Sequence, residues 1–383
     1  MSVTAARGFL ASGVAAGIKE SGDRDLALVV NRGPSRAAAG VFTSNRVQAA
    51  PVRWSRRALE DGRISAVVLN SGGANACTGE AGAVDARLMA EHTARVVDVD
   101  PDEVAVCSTG LIGVRLPMDR VMAGIGVAGD LLSSQGGEDA AVAIKTTDSV
   151  HKTAVVSGPG WTVGGMAKGA GMLAPGLATM LVVLTTDADV SAAVLDPTLR
   201  TAVGTTFDRV DSDGCMSTND TVLLLASGAS GVVPDPEEFT EAVHAVCLDL
   251  ARQLVADAEG ASKEIEVTVV GAASEQDAVE VGRSVARNNL LKCALHGEDP
   301  NWGRVLSAIG TTSAAFDPDR LDVAINDIWV CRNGAAGESR DKVDLSGRRV
   351  TVTVDLRSGE SSAAIWTNDL TAEYVHENSA YSS

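Results

Sequence analysis

The chain has 383 residues, 45% of them hydrophobic and 21% charged, which excludes a disordered chain and allows one large domain or two of ordinary size. Lys and Arg number 32 against 50 Asp and Glu, and the formal net charge of -18 repels phosphate backbones and anionic membranes, so nucleic acid and membrane are not expected partners. The N-terminal MSVTAARGFLASG lacks the basic and apolar runs of an export signal, and no apolar stretch reaches the length of a membrane span, so a cytoplasmic protein is expected. β-branched runs predict strands at Leu26–Asn31, Ala66–Asn70 and Val104–Ser108, each closed by a glycine-containing turn. An amphipathic helix is expected from near Val84 to Val97. TAVVS and WTVGG, on either side of Gly158-Pro159-Gly160, read as a hairpin. After it, a loop rich in glycine and containing Pro175 leads from Lys168 into an apolar strand whose first residues are Thr179 and Met180. Asp196-Pro197 and Asp235-Pro236 each offer a capping side chain followed by proline at a first helical position. From the second, Phe239, Ala242, Val243, Val246, Leu250 and Leu254 keep a period of about 3.6 residues, so that helix is expected to end at Glu259, with Gly260 as its left-handed terminator. Beyond lie an alternating strand with Ile265, Val267 and Val269, a helix from about Glu275 to Leu290, and strands near Asp322–Cys331, Val350–Leu356 and Ala363–Trp366. No segment repeats at a fixed period and no long polar linker divides the chain, so the class is mixed α/β with closely packed parts.

The residues alone leave the chemistry open. The six cysteines stand singly with no C-x-x-C pair, and the five histidines show no H-E-x-x-H or comparable spacing, so neither a disulfide framework nor a metal site is expected. The run from Lys168 to Asp187 has two readings. One is a turn before a buried strand, with Thr179 satisfied by backbone; the other is an N-terminal nucleophile released by cleavage at Ala178-Thr179. Cleavage of that kind needs a hydroxyl at the start of a rigid strand, a small residue before it and a loop able to strain the bond. The α-amine so released, with an ordinary pKa of about 7.7 to 8.0, then serves as the base. CSTGLIG from Cys107 reads as a strand-to-helix turn that uses Ser, Thr and Gly for backbone reasons. Lys168 does not complete a phosphate-binding P-loop, and Asp299-Pro300-Asn301 reads as the cap of the helix after it. Glu259 closes Asp257-Ala258-Glu259-Gly260 at a helix end, where the macrodipole disfavours a carboxylate, a mild sign of a role.

The segment closely resembles the self-processing site of the ornithine acetyltransferase (glutamate N-acetyltransferase) family of arginine biosynthesis, K-G-x-G-M-x-x-P-x-x-A-T-M-L followed by T-D-A. Lys168, Gly169, Gly171, Met172, Pro175, Ala178, Thr179, Met180, Leu181, Thr186, Asp187 and Ala188 all match. LNSGGANACTG from Leu69, CSTGLIG from Cys107, STNDT from Ser217, DAEG from Asp257, DPNWGRV from Asp299 and the terminal ENSAYSS match in the same order. The resemblance implies a layered α/β sandwich of the DmpA/ArgJ-like type, built jointly by an α chain (1–178) and a β chain (179–383) after self-cleavage, with a smaller C-terminal lobe from about 264. It implies Thr179 as nucleophile, Thr109 and Gly110 as oxyanion hole, and Thr146, Lys168, Thr179, Glu259, Asn378 and Ser383 as substrate contacts. The implied reaction moves the acetyl group from N2-acetylornithine to glutamate without a cofactor, in an α2β2 heterotetramer. Three alternatives stand beside it: a bifunctional form that also takes acetyl-CoA, an N-terminal-nucleophile amidase or aminopeptidase, and a non-catalytic amino-acid-binding protein.

Overall fold

The computed structural model describes residues 2–174 and 180–380, which form two compact units. Of the described residues, the larger takes in those up to Asp208 together with Cys215–Asp257; the smaller takes in Arg209–Gly214 and residues 258–380.

In the larger unit the elements run β1 (Phe9–Val14), β2 (Leu26–Asn31), β3 (Ala38–Phe42), α1 (Ala50–Ala58), β4 (Ala66–Ser71), α2 (Gly79–Val97), β5 (Val104–Thr109), α3 (Met118–Asp130), α4 (Gly137–Ala143), β6 (Lys152–Gly158), β7 (Trp161–Lys168), β8 (Leu181–Thr186), α5 (Ala192–Thr205), β9 (Thr221–Ala226) and α6 (Pro236–Ala256). Two sheets result, one in the order β1-β2-β4-β5 and one in the order β3-β9-β8-β7-β6. β4 pairs with β5 in parallel, as β8 does with β9, and every other neighbour is antiparallel. Side chains alternate along each strand, and here both faces are covered. On β2, Ala27 and Val29 join Val67, Leu69, Ala105, Met166, Val183 and Leu223 between the sheets, while Leu26, Leu28 and Val30 pack outward on Met89, Val121 and Ile125 of α2 and α3. α5 and α6 cover the outer face of the second sheet, where Phe239 meets Trp161 edge-on at 5.7 Å. The unit is therefore an α/β sandwich of four layers. With 3% aromatics the inter-sheet core is built mainly from Ala, Val and Leu.

The β-branched strands and the hairpin lie where the sequence predicts them. α5 does not start at Asp196-Pro197: it begins after Ser191 and carries Pro197 inside, at the loss of one backbone bond, while Asp196 pairs with Arg200 at 2.8 Å. α6 does start at Asp235, whose carboxylate accepts from the Glu237 and Glu238 amides, a cap worth about 1 kcal/mol. It ends at Ala256 rather than Glu259, because Asp257 leaves the helix to meet Lys152 and Ser149.

The smaller unit has β10 (Glu264–Ala272), α7 (Glu275–Ala286), α8 (Asn289–His296), α9 (Trp302–Ile309), β11 (Asp322–Ile325), β12 (Ile328–Arg332), β13 (Ala335–Ala336), β14 (Arg349–Asp355), β15 (Ser361–Asn368) and α10 (Ala372–Ala380), with sheet order β13-β12-β11-β14-β10-β15. Ile265, Val267 and Val269 face Ala278, Val281 and Val285 of α7 in one core. The helix expected over Glu275–Leu290 is two helices, since the Asn288 side chain caps α8 by accepting from the Leu291 amide. The strand expected over Asp322–Cys331 is a hairpin that turns on Asn326 and Asp327, both at positive φ. Asn301 is the N-cap of α9 but makes no side-chain cap; its amide donates to Asp299 instead.

Candidate functional site

β5 ends at Thr109, 1% exposed, and Gly110 continues at φ +126°. Gly73, in the turn after β4, donates its amide to the Thr109 carbonyl at 3.0 Å, and Ala74 donates to Leu111 at 3.0 Å. A Cβ on Gly110 would lie 2.6 Å from the Gly73 nitrogen, so this crossing of two backbones admits glycine alone. The Gly110 N–H donates to nothing among the described residues. Side chains hold the turn from behind. Ser108 donates to Asn70 at 2.6 Å, and Asn219 donates to the Ala74 and Ser108 carbonyls at 2.6 and 2.8 Å. Asn219 precedes β9 in the other sheet, so one buried amide ties the two sheets together behind Thr109.

β7 ends at Lys168, which is 1% exposed. Its Nζ donates to Thr109 Oγ1 at 3.3 Å, which leaves the threonine's own proton free to point at a further acceptor. Behind Lys168, the Asp148 carboxylate accepts from the Gly169 and Thr146 amides at 2.6 and 2.9 Å and from Lys152 Nζ at 2.6 Å. Burial works to raise the Asp148 carboxyl, but the Lys168 and Lys152 ammoniums overcome it and hold it well below the usual carboxylate range. Lys152 is wholly buried and also reaches Asp257 at 2.5 Å. Breaking a buried pair of this kind typically costs about 3 to 5 kcal/mol, so the network fixes the loop that carries Thr146 and the end of β7 together.

Met180 stands one residue before β8. Its amide donates to Asp220 Oδ1 at 3.0 Å, and its carbonyl accepts from Thr221 at 3.2 Å. Asp220 is 0% exposed. Burial pushes its carboxyl well above the usual range, against the Met180 N–H, the Ser217 hydroxyl, the Lys168 charge and the Thr43 hydroxyl.

In the smaller unit Asn378, on α10, donates to Glu259 Oε2 at 3.0 Å. Glu373 and Glu377 lie on the same helix, and burial together with the Glu259 and Glu373 charges raises the Glu377 carboxyl. Residues 377–380 of the C-terminal segment thus lie in a helix whose Asn378 meets Glu259.

A model described as the ArgJ family matches residues 10–383. The chain belongs to the ArgJ family. Across that family the "Arginine biosynthesis bifunctional protein ArgJ" of Streptomyces avermitilis is 71% identical over the whole of both chains. A solved ArgJ from Bacillus halodurans is 35% identical with a TM-score of 0.50, covering 51% of this chain and 97% of that one. A solved ornithine acetyltransferase from Mycobacterium tuberculosis, complexed with ornithine, is 54% identical with a TM-score of 0.45, covering 47% of this chain and 96% of that one. Among the described residues no helix is long and apolar enough to cross a membrane.

Of the residues singled out in this ArgJ-family sequence, Thr109, Gly110 and Lys168 come together at strand ends, with Thr146 joined to them through Asp148. Glu259 and Asn378 meet in the smaller unit. Ala178, Thr179 and Ser383 lie outside the described residues. Glu259 is not the helix end it was expected to be, so the macrodipole argument for it falls; its contact with Asn378 and its acidic neighbours stand in its place. Sequence reasoning missed Asp148, Lys152, Asn219 and Asp220. Asn219 and Asp220 sit in STNDT, a motif noticed as a signature without a role.

Proposed function

We infer that the chain is a self-cleaving acetyltransferase of arginine biosynthesis, which moves the acetyl group of N2-acetylornithine to glutamate through an acetyl ester on Thr179. The observation that carries this reading is the buried junction of strand ends, with Lys168 at 3.3 Å from the Thr109 hydroxyl, Gly110 held open beside it, and Met180, the residue after Thr179, tied to Asp220 at 3.0 Å. The reading assigns Thr179 Oγ to the acetyl carbon. The hydroxyl proton passes to the threonine's own α-amine, and the new ammonium returns it to the departing ornithine nitrogen as the C–N bond breaks. Glutamate's amine then attacks the ester and the same transfers run in reverse. Charge develops on the acetyl oxygen in each half-reaction, where Thr109 and Gly110 are assigned as donors. Ser108, Thr109 and Lys168 are almost wholly buried, and excluding water from an acetyl ester favours transfer over hydrolysis.

Self-cleavage gives an α chain to Ala178 and a β chain from Thr179, assembled as α2β2. The coverage of the Bacillus halodurans chain supports the cleavage, because 97% of a solved polypeptide spans only 51% of this one, as one piece of a cleaved precursor does.

The test is a transfer assay with N2-acetylornithine and glutamate, in which ornithine and N-acetylglutamate are expected in equal amounts. Two further arms separate the alternatives. Acetate released without glutamate marks an amidase, and N-acetylglutamate formed from acetyl-CoA in place of acetylornithine marks the second activity that the relatives' word "bifunctional" suggests.

Glu259 is assigned to the side-chain ammonium of ornithine, since it lies with Glu373 and Glu377 in an acidic group that a cation relieves. Glu259→Gln keeps the shape and removes a charge-assisted hydrogen bond worth about 1.5 to 3 kcal/mol. KM for acetylornithine is expected to rise roughly ten- to hundredfold. Deleting residues 378–383 removes the Asn378 contact and is expected to impair the same step while self-cleavage, read on a denaturing gel, proceeds. A truncated protein that cleaves and transfers normally withdraws Asn378 and Ser383 as substrate contacts.

A further inference from the structure

We propose that Lys19 reads the α-carboxylate that the donor and acceptor amino acids have in common, its ammonium taking that group as a third partner beside two backbone carbonyls. This rests on the transfer reading above and adds to it the group that selects an α-amino acid.

The chain has seven lysines and a net charge of -18, yet four of the seven share one neighbourhood. Lys19 lies in the field of Lys145 and Asp148, and Lys152 and Lys168 lie in that of Asp148 as well. Three of the four are engaged by groups already described or by the adjoining loop. Lys152 pairs with Asp148 and Asp257, Lys168 donates to Thr109, and Lys145 donates to the Ser149 carbonyl at 3.2 Å. Lys19 differs from Lys152, because it is half-buried and pairs with no carboxylate among the described residues. Its Nζ donates to the Lys145 carbonyl at 2.7 Å and to the Arg24 carbonyl at 3.2 Å. An ammonium has three N–H donors, so one is left for a further acceptor. Asp25, the carboxylate whose charge weighs most on it, is taken up by the amides of Ala16, Ile18 and Lys19 at 2.6, 2.6 and 2.9 Å.

Its place in the fold points the same way. A Cβ on Gly72 would come within 3.2 Å of Lys19 Cγ, so the lysine stem lies along the turn after β4. The next residue of that turn, Gly73, donates to the Thr109 carbonyl at 3.0 Å. At the other end, the carbonyl that Lys19 holds is bonded to the nitrogen of Thr146, one of the implied substrate contacts. The side chain thus runs from the turn that backs Thr109 to the loop that presents Thr146. Burial pulls the Lys19 ammonium below its ordinary value, with help from Lys145 and only partial opposition from Asp25, Asp23 and Asp148. A dehydrated cation that no carboxylate neutralises gains from an arriving anion. Acetylornithine and glutamate carry the reacting nitrogen on the same carbon as a carboxylate and differ in their side chains. One fixed partner for that carboxylate therefore serves both half-reactions.

Lys19→Gln keeps a donor for a backbone carbonyl and removes the charge. It is compared with wild type on N2-acetylornithine and on the α-carboxamide of N2-acetylornithine, which has nearly the same shape and no carboxylate. Wild type is expected to prefer acetylornithine about a hundredfold in kcat/KM. In Lys19→Gln the value for acetylornithine is expected to fall roughly ten- to a hundredfold, mostly through KM, while that for the carboxamide stays within about threefold. KM for glutamate is expected to rise as well. Lys19→Arg, which keeps a cation, is expected to retain a preference of about tenfold or more. Equal losses on the two donors would make Lys19 a tether for the Lys145 carbonyl and overturn the proposal. A wild-type protein that uses the carboxamide as well as acetylornithine overturns it too, and that comparison needs no variant to fold. Failure of the transfer reading looks different: there the wild-type protein moves acetyl groups from neither donor to glutamate.

Discussion

Thr179→Ala is expected to give one uncleaved polypeptide of 383 residues, with acetyl transfer reduced on the order of 10^4-fold or more. Wild-type protein run beside it on a denaturing gel is expected as two fragments, the second of which begins at Thr179 on N-terminal sequencing. Both effects have one origin. In the proposed mechanism the hydroxyl that attacks the Ala178 carbonyl during maturation is the one that later attacks acetylornithine, and the base for the second attack exists only after the first has freed the α-amine. Thr179→Ser keeps an oxygen at the same place and is expected to cleave, more slowly, and to transfer. Intact wild-type protein with full transfer activity would contradict the mechanism outright, since it would contain no amine to take the proton.

The second large effect is expected from Thr109→Ala, with kcat for acetyl transfer falling roughly a hundred- to a thousandfold and KM moving by only a few fold. The hydroxyl is buried, it accepts from Lys168 at 3.3 Å, and its proton is thereby left for an oxygen whose charge grows only as the tetrahedral species forms. Ground-state substrate gains little from it, so the loss belongs in kcat. Thr109→Ser, with the hydroxyl kept, is expected to retain most of the rate. Unchanged kcat with a raised KM would move Thr109 from the oxyanion to the ground-state substrate.

What the sequence made legible follows from how far each signal reaches along the chain. Leu26–Asn31 and Val104–Thr109 are runs of β-formers buried on both faces, and Asp235-Pro236 caps its own helix through amides two and three residues away. Local chemistry suffices there. β3, with the sequence AAGVF, and the Ala- and Gly-rich α3 and α4 carry little period of their own and owe their form to the sheet they pack on. Pro197 shows the opposite failure, where a strong local signal is overridden by a helix already under way from Ala192. At the candidate site, Gly110 and Lys168 were found through motif resemblance alone. Asp148 and Asp220 were not, because a buried carboxylate is defined by its partners: Asp220 is met by the Met180 amide, and Asp148 by the Lys168 charge and the Gly169 amide as well as by Thr146 and Lys152, and nothing in the sequence shows that those distant groups come together.

The carboxylate behind Lys168 also bears on chemical selectivity among amines. A protein that carries an acetyl ester exposes every neighbouring nitrogen lone pair to acylation, and a lysine close to the reacting centre is the first candidate for damage. Lys168 and Lys152 both sit in the field of Asp148, and Lys152 is further clasped by Asp257. An ammonium held in this way has no lone pair to offer. If the ester forms on Thr179 as inferred, the amine of an incoming amino acid is a competent acceptor, while a lysine paired with buried carboxylates is not. On that reading an ionic arrangement in its interior protects the enzyme from its own reagent.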